Sequence, residues 1–219
     1  GWDPLHLVMR DDGGKLIAAM PHYLKHHSYG EYIFDHSWAN GFMRAGGQYY
    51  PKMLAAIPFT PATGPRLLTG TATGVRRQQL IRGLANGMAQ YVDKLQLSSA
   101  HINFLPLDDA NALVDEGWLL RHSIQFHWHN DGYQSFDDFL ASLSSRKRKN
   151  IRKERQSLVD AEVQMLSLTG AAIKSHHIDD FYRFYMSTID RKWGGAYLTR
   201  EVFEILHATL ADRMLLVMA

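Results

Sequence analysis

Residues 5–25, LHLVMRDDGGKLIAAMPHYLK, contain the pattern that most directly predicts the fold. Two apolar runs flank Asp12, Gly13 and Gly14, which are residue types that tolerate the positive φ angles of tight turns. The pattern therefore predicts two antiparallel strands joined by a hairpin. SYGEYIFD, residues 28–35, follows as a third predicted strand.

Beyond these strands, apolar periodicity predicts helices that alternate with single strands. A short helix over residues 37–45 and a strand within residues 49–59 precede a long helix over residues 75–95, with apolar side chains three or four apart. Residues 99–106 predict a strand, residues 108–117 a short helix, and WLLRHSIQFHWHN, residues 118–130, a long strand. This order predicts a mixed α+β (α/β) fold with mixed sheets flanked by helices.

The pattern restarts after residue 132. Ser135 is a helix cap followed by two aspartates in the first turn, where the helix dipole favours acids. A strand over residues 161–170, helices over residues 178–193 and 199–212, and a strand over residues 214–219 complete the chain. We therefore expect a first lobe at residues 1–132 and a second at 133–219. The second lobe is expected to be incomplete, since the chain ends on a strand-like apolar run.

The amino-acid composition excludes several kinds of functional site and indicates a protein with a hydrophobic core. Of the 219 residues, 46% are hydrophobic, which is enough to build a core. The absence of cysteine excludes disulfides, thiolate metal sites and a Cys nucleophile. No apolar run approaches the roughly 20 residues that a bilayer-spanning helix needs. With no signal-peptide pattern at residue 1 either, we expect a cytoplasmic protein without a membrane span.

Positive charge is concentrated in SLSSRKRKNIRKERQSL, residues 142–158. Seven Lys or Arg lie between Arg146 and Arg155, while the remaining 17 basic and 21 acidic residues have a net charge of −4. On a single helix, Arg148, Arg152 and Arg155 share one flank, and the apolar side chains share a seam. Lys147 and Glu154 fall on that seam, so either the helix breaks at Ser144-Ser145 or these two residues line a groove.

This basic run has two interpretations. It is either a solvated basic helix without a binding role or a helix that contacts phosphate through Arg. No helix-turn-helix, zinc finger or dimerising heptad accompanies it, so we expect no DNA binding. Contact with an RNA or a nucleotide carrier stays open. A third alternative, docking on an anionic membrane surface, is weakened because the face opposite the seam is not a clean basic stripe.

Two further patterns supply candidate site residues. Apolar and polar residues alternate in IQFHWHN, so His127 and His129 share one face of the predicted strand. Two histidines on one face could bind a metal ion, but no third ligand lies nearby in sequence. A polar cleft with His127 as a base is therefore favoured over a metal site. Aromatic residues beside charged ones indicate either core aromatics with cations at their edge or an aromatic-lined pocket. The polar anchors of that pocket would be Asp35, His36, Lys52 and Lys192.

Several long stretches resemble the FemAB-like family of predicted N-acyltransferases, often labelled peptidoglycan biosynthesis or recognition proteins. They are GWDPLHL, GEYIFDHSWA, GQYYPKMLAAIPFTPATGPRLL, QFHWHNDGYQSFDDFLASLSSRKRKNIRKER and FYRFYMSTIDRKWGGAYLTR. The resemblance runs over nearly the whole chain. It implies tandem GNAT-like (acyl-CoA N-acyltransferase) lobes of a bacterial protein. Residues 63–77, TGPRLLTGTATGVRR, lack the Gln/Arg-x-x-Gly-x-Gly/Ala pyrophosphate signature of GNAT enzymes.

The resemblance also implies a transferase reaction. Fem ligases use aminoacyl-tRNA and typical GNAT enzymes use acyl-CoA, so either is the expected co-substrate, with no tightly bound cofactor or metal. The acceptor would be a small-molecule or peptide amine, attacked without a covalent enzyme intermediate. The candidate bases are His127, Asp35 and His36, and the candidate substrate-binding residues are Tyr50, Lys52, Arg148, Arg152, Lys192 and Trp193. The alternative is a non-catalytic ligand- or RNA-binding module that uses the basic helix 146–155.

Overall fold

Four short strands occupy the first 25 residues of the computed structural model, which describes residues 1–192 and 195–219: β1 (Asp3–Pro4), β2 (Leu7–Arg10), β3 (Leu16–Met20) and β4 (His22–Lys25). The predicted hairpin is confirmed, since β2 and β3 pair antiparallel with Leu7 opposite Met20. Its turn is closed by the Asp11 N–H, which donates to the Lys15 carbonyl at 3.0 Å. Gly14 supplies the positive φ, +82°, that the turn requires.

A second, four-stranded sheet has the order β1-β4-β5-β6, with β5 at Lys52–Ala55 and β6 at Ala100–Ile102. Strands β4 and β5 run antiparallel, whereas β5 and β6 run parallel. The expectation of a mixed sheet is therefore confirmed. Helix α1 (His36–Arg44) lies in the connection between β4 and β5.

The main core forms where helix α2 (Gly74–Lys94) packs on both sheets. Its Leu80, Ile81, Leu84, Ala85 and Met88 are buried with Met20 of β3, Met53 and Ala55 of β5, and Leu113 of helix α3 (Leu107–Val114). Glycines let the β2 strand approach α2 closely. A Cβ on Gly83 would lie 2.8 Å from the Met9 Cε atom, and one on Gly87 would lie 3.0 Å from a Leu7 methyl.

Residues 126–219 form their own unit, separate from residues 1–125. Helix α4 (Phe136–Ser142) begins at Ser135, whose hydroxyl accepts the Asp138 N–H at 3.1 Å, so the predicted cap is confirmed. Helix α5 (Ser145–Asp160) follows after a break at residues 143–144, which confirms the first of the two alternatives for the basic run. The antiparallel strands β7 (Leu166–Thr169) and β8 (Leu215–Met218) bracket helices α6 (Ser175–Asp190) and α7 (Arg200–Leu210).

Two predicted strands are wrong. Residues 28–35 form turns, with positive φ at Gly30, Tyr32 and Phe34, because this segment directs polar side chains inward rather than pairing its backbone. Residues 118–130 have no regular structure: alternation predicts a strand only where another strand pairs with it, and no ladder in the described chain includes this segment. Its apolar side chains are accordingly exposed, Leu119 by 98% and Phe126 by 95%.

The structure is thus a mixed α+β protein, with seven α-helices and three small sheets among the described residues. The tandem GNAT-like architecture stays a prediction. Across the described ranges, none of the helices combines the length and the apolar composition that crossing a bilayer requires.

Candidate functional site

A buried ammonium group lies at the centre of the site in residues 1–125. The Nζ atom of Lys52 donates to Ser28 Oγ at 2.9 Å, Glu31 Oε2 at 2.9 Å and Asp35 Oδ2 at 2.8 Å. The side chains of Lys52 and Glu31 have no exposed surface, and that of Asp35 is 1% exposed. A lysine ammonium has three N–H donors. All three are used inside this buried cluster.

Local backbone geometry explains how the cluster forms. In an extended strand, Ser28 would face the opposite side from Glu31 and Asp35. The turns at Gly30, Tyr32 and Phe34 instead bring all three side chains to Lys52, which lies on β5. The structure thus brings together two predicted site residues, Asp35 and Lys52, with two partners that the sequence did not single out.

Two tyrosines complete the cluster. Tyr49 donates its hydroxyl proton to Asp35 Oδ2 at 2.8 Å. Tyr50, a predicted substrate-binding residue, has its hydroxyl 2.8 Å from Ser28 Oγ, where either oxygen could donate. Both rings also lie near the Lys52 ammonium, at 5.4 and 5.7 Å. Tyr50 therefore reaches Lys52 through Ser28 rather than facing a separate pocket.

Charges in the cluster shift its pKa values in different directions. Burial opposes the Asp35 carboxylate, but hydrogen bonds from Lys52, Ser28 and Tyr49, with the Lys52 charge, outweigh it and lower the pKa of Asp35 to about 2. Burial raises the pKa of Glu31 against the opposing Lys52 charge. Burial also lowers the pKa of Lys25 to about 8, assisted by Lys52. With so low a pKa, Asp35 stays ionised at neutral pH, as the partner of the Lys52 ammonium.

His101, on β6, connects this cluster to a pocket. Its ring lies 6.4 Å from that of Tyr49, and its Nε2 atom is 2.8 Å from Ser99 Oγ. Burial, with the Lys52 and Arg121 charges, lowers the pKa of His101 to about 4 against the opposing charge of Asp35. The imidazole is therefore neutral at pH 7. His101 is not among the predicted site residues, although a histidine within the apolar strand residues 100–102 was a usable signal.

The pocket that His101 lines has a volume of about 510 Å³ and lies at the carboxyl end of β6. Its walls come from residues 100–105, α3, the irregular segment 118–123, and the single residues Ile33 and Thr63. Thr63 belongs to a loop that buried Arg66 holds in shape, by donating to the Gly64 carbonyl at 2.9 Å and to the Ala62 carbonyl at 2.5 Å.

The two predicted histidine bases lie elsewhere. His36 is exposed at the start of α1, with its ring 6.1 Å from that of Tyr29. His127 is exposed in the irregular segment of residues 126–219, where its ring stacks on His129 at 6.1 Å. Since the strand predicted to carry His127 does not form, the expected polar strand face is wrong.

The α5 arginines that were predicted to bind phosphate contact α4, and their phosphate-binding role stays a prediction. Arg148 donates from Nη1 to three carbonyls at the end of α4, the nearest being Ala141 at 3.1 Å. Arg152 pairs with Asp137 at 3.3 Å, with both side chains exposed. The Arg155 guanidinium lies 4.4 Å from the centre of the Phe136 ring. This flank of the helix packs on its neighbour, so Arg148 has a structural role that the sequence did not reveal.

Replacing Arg148 by alanine is expected to lower the free energy of unfolding by about 1–3 kcal/mol, because charged donors to otherwise unpaired helix carbonyls are lost. Arg146→Ala is the matched control, since Arg146 lies on the same helix and no ion pair in the described chain includes it. Urea unfolding followed by circular dichroism measures both variants. Equal losses in the two variants would contradict the capping role.

The other predicted residues of the second unit are less informative. Lys192 is exposed just after α6, and Trp193 lies outside the described residues. A wide groove of about 770 Å³ runs along α6, and two of its charged side chains, Arg200 and Asp179, pair with each other. Within residues 1–192 and 195–219, no group of three or more His, Asp or Glu side chains is arranged to hold a metal ion.

Comparison with known proteins identifies the family. The model of the FemAB-like family, described as peptidoglycan biosynthesis/recognition, matches residues 1–219, which is the whole chain. No curated protein matches the sequence. The chain therefore belongs to the FemAB-like family of peptidoglycan biosynthesis/recognition proteins.

Proposed function

We propose that this protein is an N-acyltransferase that moves an acyl or aminoacyl group from a phosphorylated carrier, acyl-CoA or aminoacyl-tRNA, to an amine. The observation that carries the proposal is the neutral imidazole of His101, which lines a pocket beside the Lys52 cluster in a FemAB-like chain. A functional site commonly gathers groups with perturbed pKa values around a concave pocket.

In the proposed reaction the acceptor nitrogen attacks the carbonyl carbon of the donor directly. The new C–N bond forms as the C–O bond of an aminoacyl ester, or the C–S bond of a thioester, breaks. His101 accepts the proton that the attacking nitrogen loses and returns it to the leaving oxygen or sulfur. No covalent enzyme intermediate is needed, in keeping with a chain that has no cysteine.

The Lys52 cluster has a positioning role in this proposal. Every N–H of Lys52 already has a protein acceptor, so the ammonium has no donor left for a substrate. By holding Asp35, and through it Tyr49, the cluster fixes the ring that lies beside His101. The predicted bases His127, Asp35 and His36 stay candidates by prediction alone. None of them lines the pocket, and His101 is the base that we favour.

The second candidate function is a binding module for RNA. Arg146, Lys149 and Lys153 lie on the face of α5 opposite the flank that packs on α4, at the spacing i, i+3, i+7. Within the described ranges, these three cations make no ion pair or hydrogen bond. Unpaired cations on one helix face favour contact with a polyanion such as the tRNA of an aminoacyl donor.

Mass spectrometry of new amide products tests both functions. Full-length protein is incubated with acyl-CoAs or bulk aminoacyl-tRNA and a panel of amine acceptors. We expect an amide product with one donor class, formed at least about 100-fold more slowly by His101→Ala and at an unchanged rate by His176→Ala. No product from folded protein would contradict acyl transfer. Salt-dependent RNA binding without turnover, lost when Arg146, Lys149 and Lys153 become glutamine but not when Lys15, Arg76 and Lys94 do, would favour the binding module.

A further inference from the structure

Two serine hydroxyls connect the His101 ring to the backbone of Tyr49. Ser99 precedes β6 and lies two residues before His101, so both side chains are on the same face of the strand. Ser99 Oγ lies 2.8 Å from His101 Nε2 and 3.3 Å from Ser98 Oγ. Ser98 Oγ in turn lies 2.5 Å from the Tyr49 carbonyl oxygen. These contacts form one row, the serine chain, that runs from the imidazole to a peptide group.

The carbonyl at the end of the serine chain fixes the direction of every hydrogen bond in it. A carbonyl oxygen only accepts, so Ser98 donates its single hydroxyl proton to Tyr49. Ser98 is then an acceptor toward Ser99, which donates its own proton to Ser98. Because Ser99 has no second proton, the Nε2 atom of His101 must carry the hydrogen and donate it to Ser99. The opposite direction would set the lone pairs of two serine oxygens against each other.

This direction decides which nitrogen of His101 is free to accept a proton. A neutral imidazole carries one N–H, so a ring protonated at Nε2 has a lone pair at Nδ1. Within the described residues Nδ1 makes no hydrogen bond, and it is not among the side-chain atoms that are buried without a partner. His101 lines the pocket, whereas Ser98 and Ser99 do not. Nδ1 is therefore the ring nitrogen left for a ligand.

The surrounding structure holds the serine chain in place. The Met53 N–H of β5 donates to the Ser99 carbonyl at 2.9 Å, which fixes the backbone next to His101. Tyr49, whose carbonyl ends the chain, donates its hydroxyl proton to Asp35 at 2.8 Å. Both ends of the chain are thus attached to ordered parts of the same unit, as a group that orients a catalytic side chain requires.

We propose that Ser99 is a positioning residue that keeps His101 in the Nε2–H tautomer, so that Nδ1 takes the proton from the attacking amine. This rests on the proposed function for the proton that Nδ1 accepts, whereas the tautomer itself is independent of turnover. Nε2–H stays hydrogen-bonded to Ser99 while Nδ1 is protonated. Because the serine chain ends on a carbonyl, no proton leaves along it. The imidazolium therefore returns its proton from Nδ1 to the leaving oxygen or sulfur.

Nuclear magnetic resonance at pH 7 tests the proposal on full-length protein with ¹⁵N-labelled histidine, since ring-nitrogen shifts distinguish the two tautomers. The signals absent from His101→Gln assign the ring. We expect Nε2–H in the wild type, a mixture of tautomers in Ser99→Ala, and Nε2–H again in Ser99→Thr, which keeps the hydroxyl. Ser98→Ala frees the Ser99 proton to donate to the ring, so it should increase the Nδ1–H form. Ser167→Ala, on β7, is the matched control and should match the wild type.

Amide formation provides the second readout. Ser99→Ala should form product about threefold to tenfold more slowly, because only part of the His101 population then has Nδ1 free, and Ser99→Thr should recover the rate. A wild-type ring protonated at Nδ1, or an unchanged tautomer in either alanine variant of the serine chain, would overturn the proposal. With amide still formed, these results would retain acyl transfer and reject the role of Ser99. An Nε2–H form that depends on Ser99, in a protein without turnover, would retain the tautomer assignment and reject acyl transfer.

Discussion

Replacing Lys52 by methionine is expected to lower the free energy of unfolding by about 3–5 kcal/mol, the largest loss we expect from a single substitution here. The side chains of Lys52, Glu31 and Asp35 are at most 1% exposed, and the ammonium donates to both carboxylates. Methionine fills a similar volume but leaves two carboxylates buried without the ammonium that donates to both. Urea unfolding of the wild type and the variant gives the difference directly.

The matched control is Lys15→Met, because Lys15 is exposed in the hairpin turn and its side chain makes no ion pair in the described chain. A surface change of this kind is expected to stay within about 0.5 kcal/mol. A triple variant, Lys52→Met with Glu31→Gln and Asp35→Asn, removes the stranded charges and should recover much of the loss. Equal losses for Lys52→Met and Lys15→Met, or no recovery in the triple variant, would refute the charge-based explanation.

Acidification from pH 7 to pH 4 is expected to destabilise the protein by about 3 kcal/mol for each of two histidines whose pKa is lowered, the buried His22 and the partly buried His101. Burial lowers the pKa of His22 from 6.5 to about 4, assisted by His6, and burial also lowers that of His101 to about 4. Between pH 6.5 and pH 4 these histidines are protonated in the unfolded chain but neutral in the folded protein. Stability is therefore lost as the pH falls through about 6.5 and continues to fall to about 4.

His22→Phe isolates this effect. His22 is 1% exposed and neither ring nitrogen has a hydrogen bond, so an apolar ring suits the site. The variant should lose about 3 kcal/mol less than the wild type between pH 7 and pH 4, whereas His36→Phe, on the exposed start of α1, should match the wild type. The comparison cancels the opposing contribution of Glu31, whose raised pKa favours the folded protein on acidification. Parallel curves for the wild type and His22→Phe would contradict the prediction.

Local signals explain which elements were predictable. The hairpin around Gly14 and the helix that begins after Ser135 depend on turn and cap chemistry within a few residues, and both were confirmed. The long helix α2 has an apolar face that its own periodicity reveals. The strands predicted for residues 28–35 and 118–130 were wrong, because a strand forms only where a partner strand exists. That pairing depends on distant parts of the chain.

The candidate site likewise has residues that the local sequence predicted and residues whose role depends on distant parts of the chain. Asp35 and Lys52 were predicted as site residues because they lie beside aromatic residues in the sequence. The contacts of Ser28 and Glu31 with Lys52 depend on turns that were not predicted. His101 becomes significant only when β6 pairs with β5 and the pocket closes around it. Arg148 was predicted to bind a ligand because of its charge, and in the structure it caps a neighbouring helix.

Titration of the His101 ring by nuclear magnetic resonance is the sharpest test of the proposed acyl transfer, because His101 can accept a proton only as a neutral imidazole. The His101→Gln spectrum assigns the signal. We expect His101 to stay neutral down to about pH 5, consistent with a pKa of about 4. A titration midpoint near the ordinary value of about 6.5 would contradict it, since the ring would then be solvated like any surface histidine.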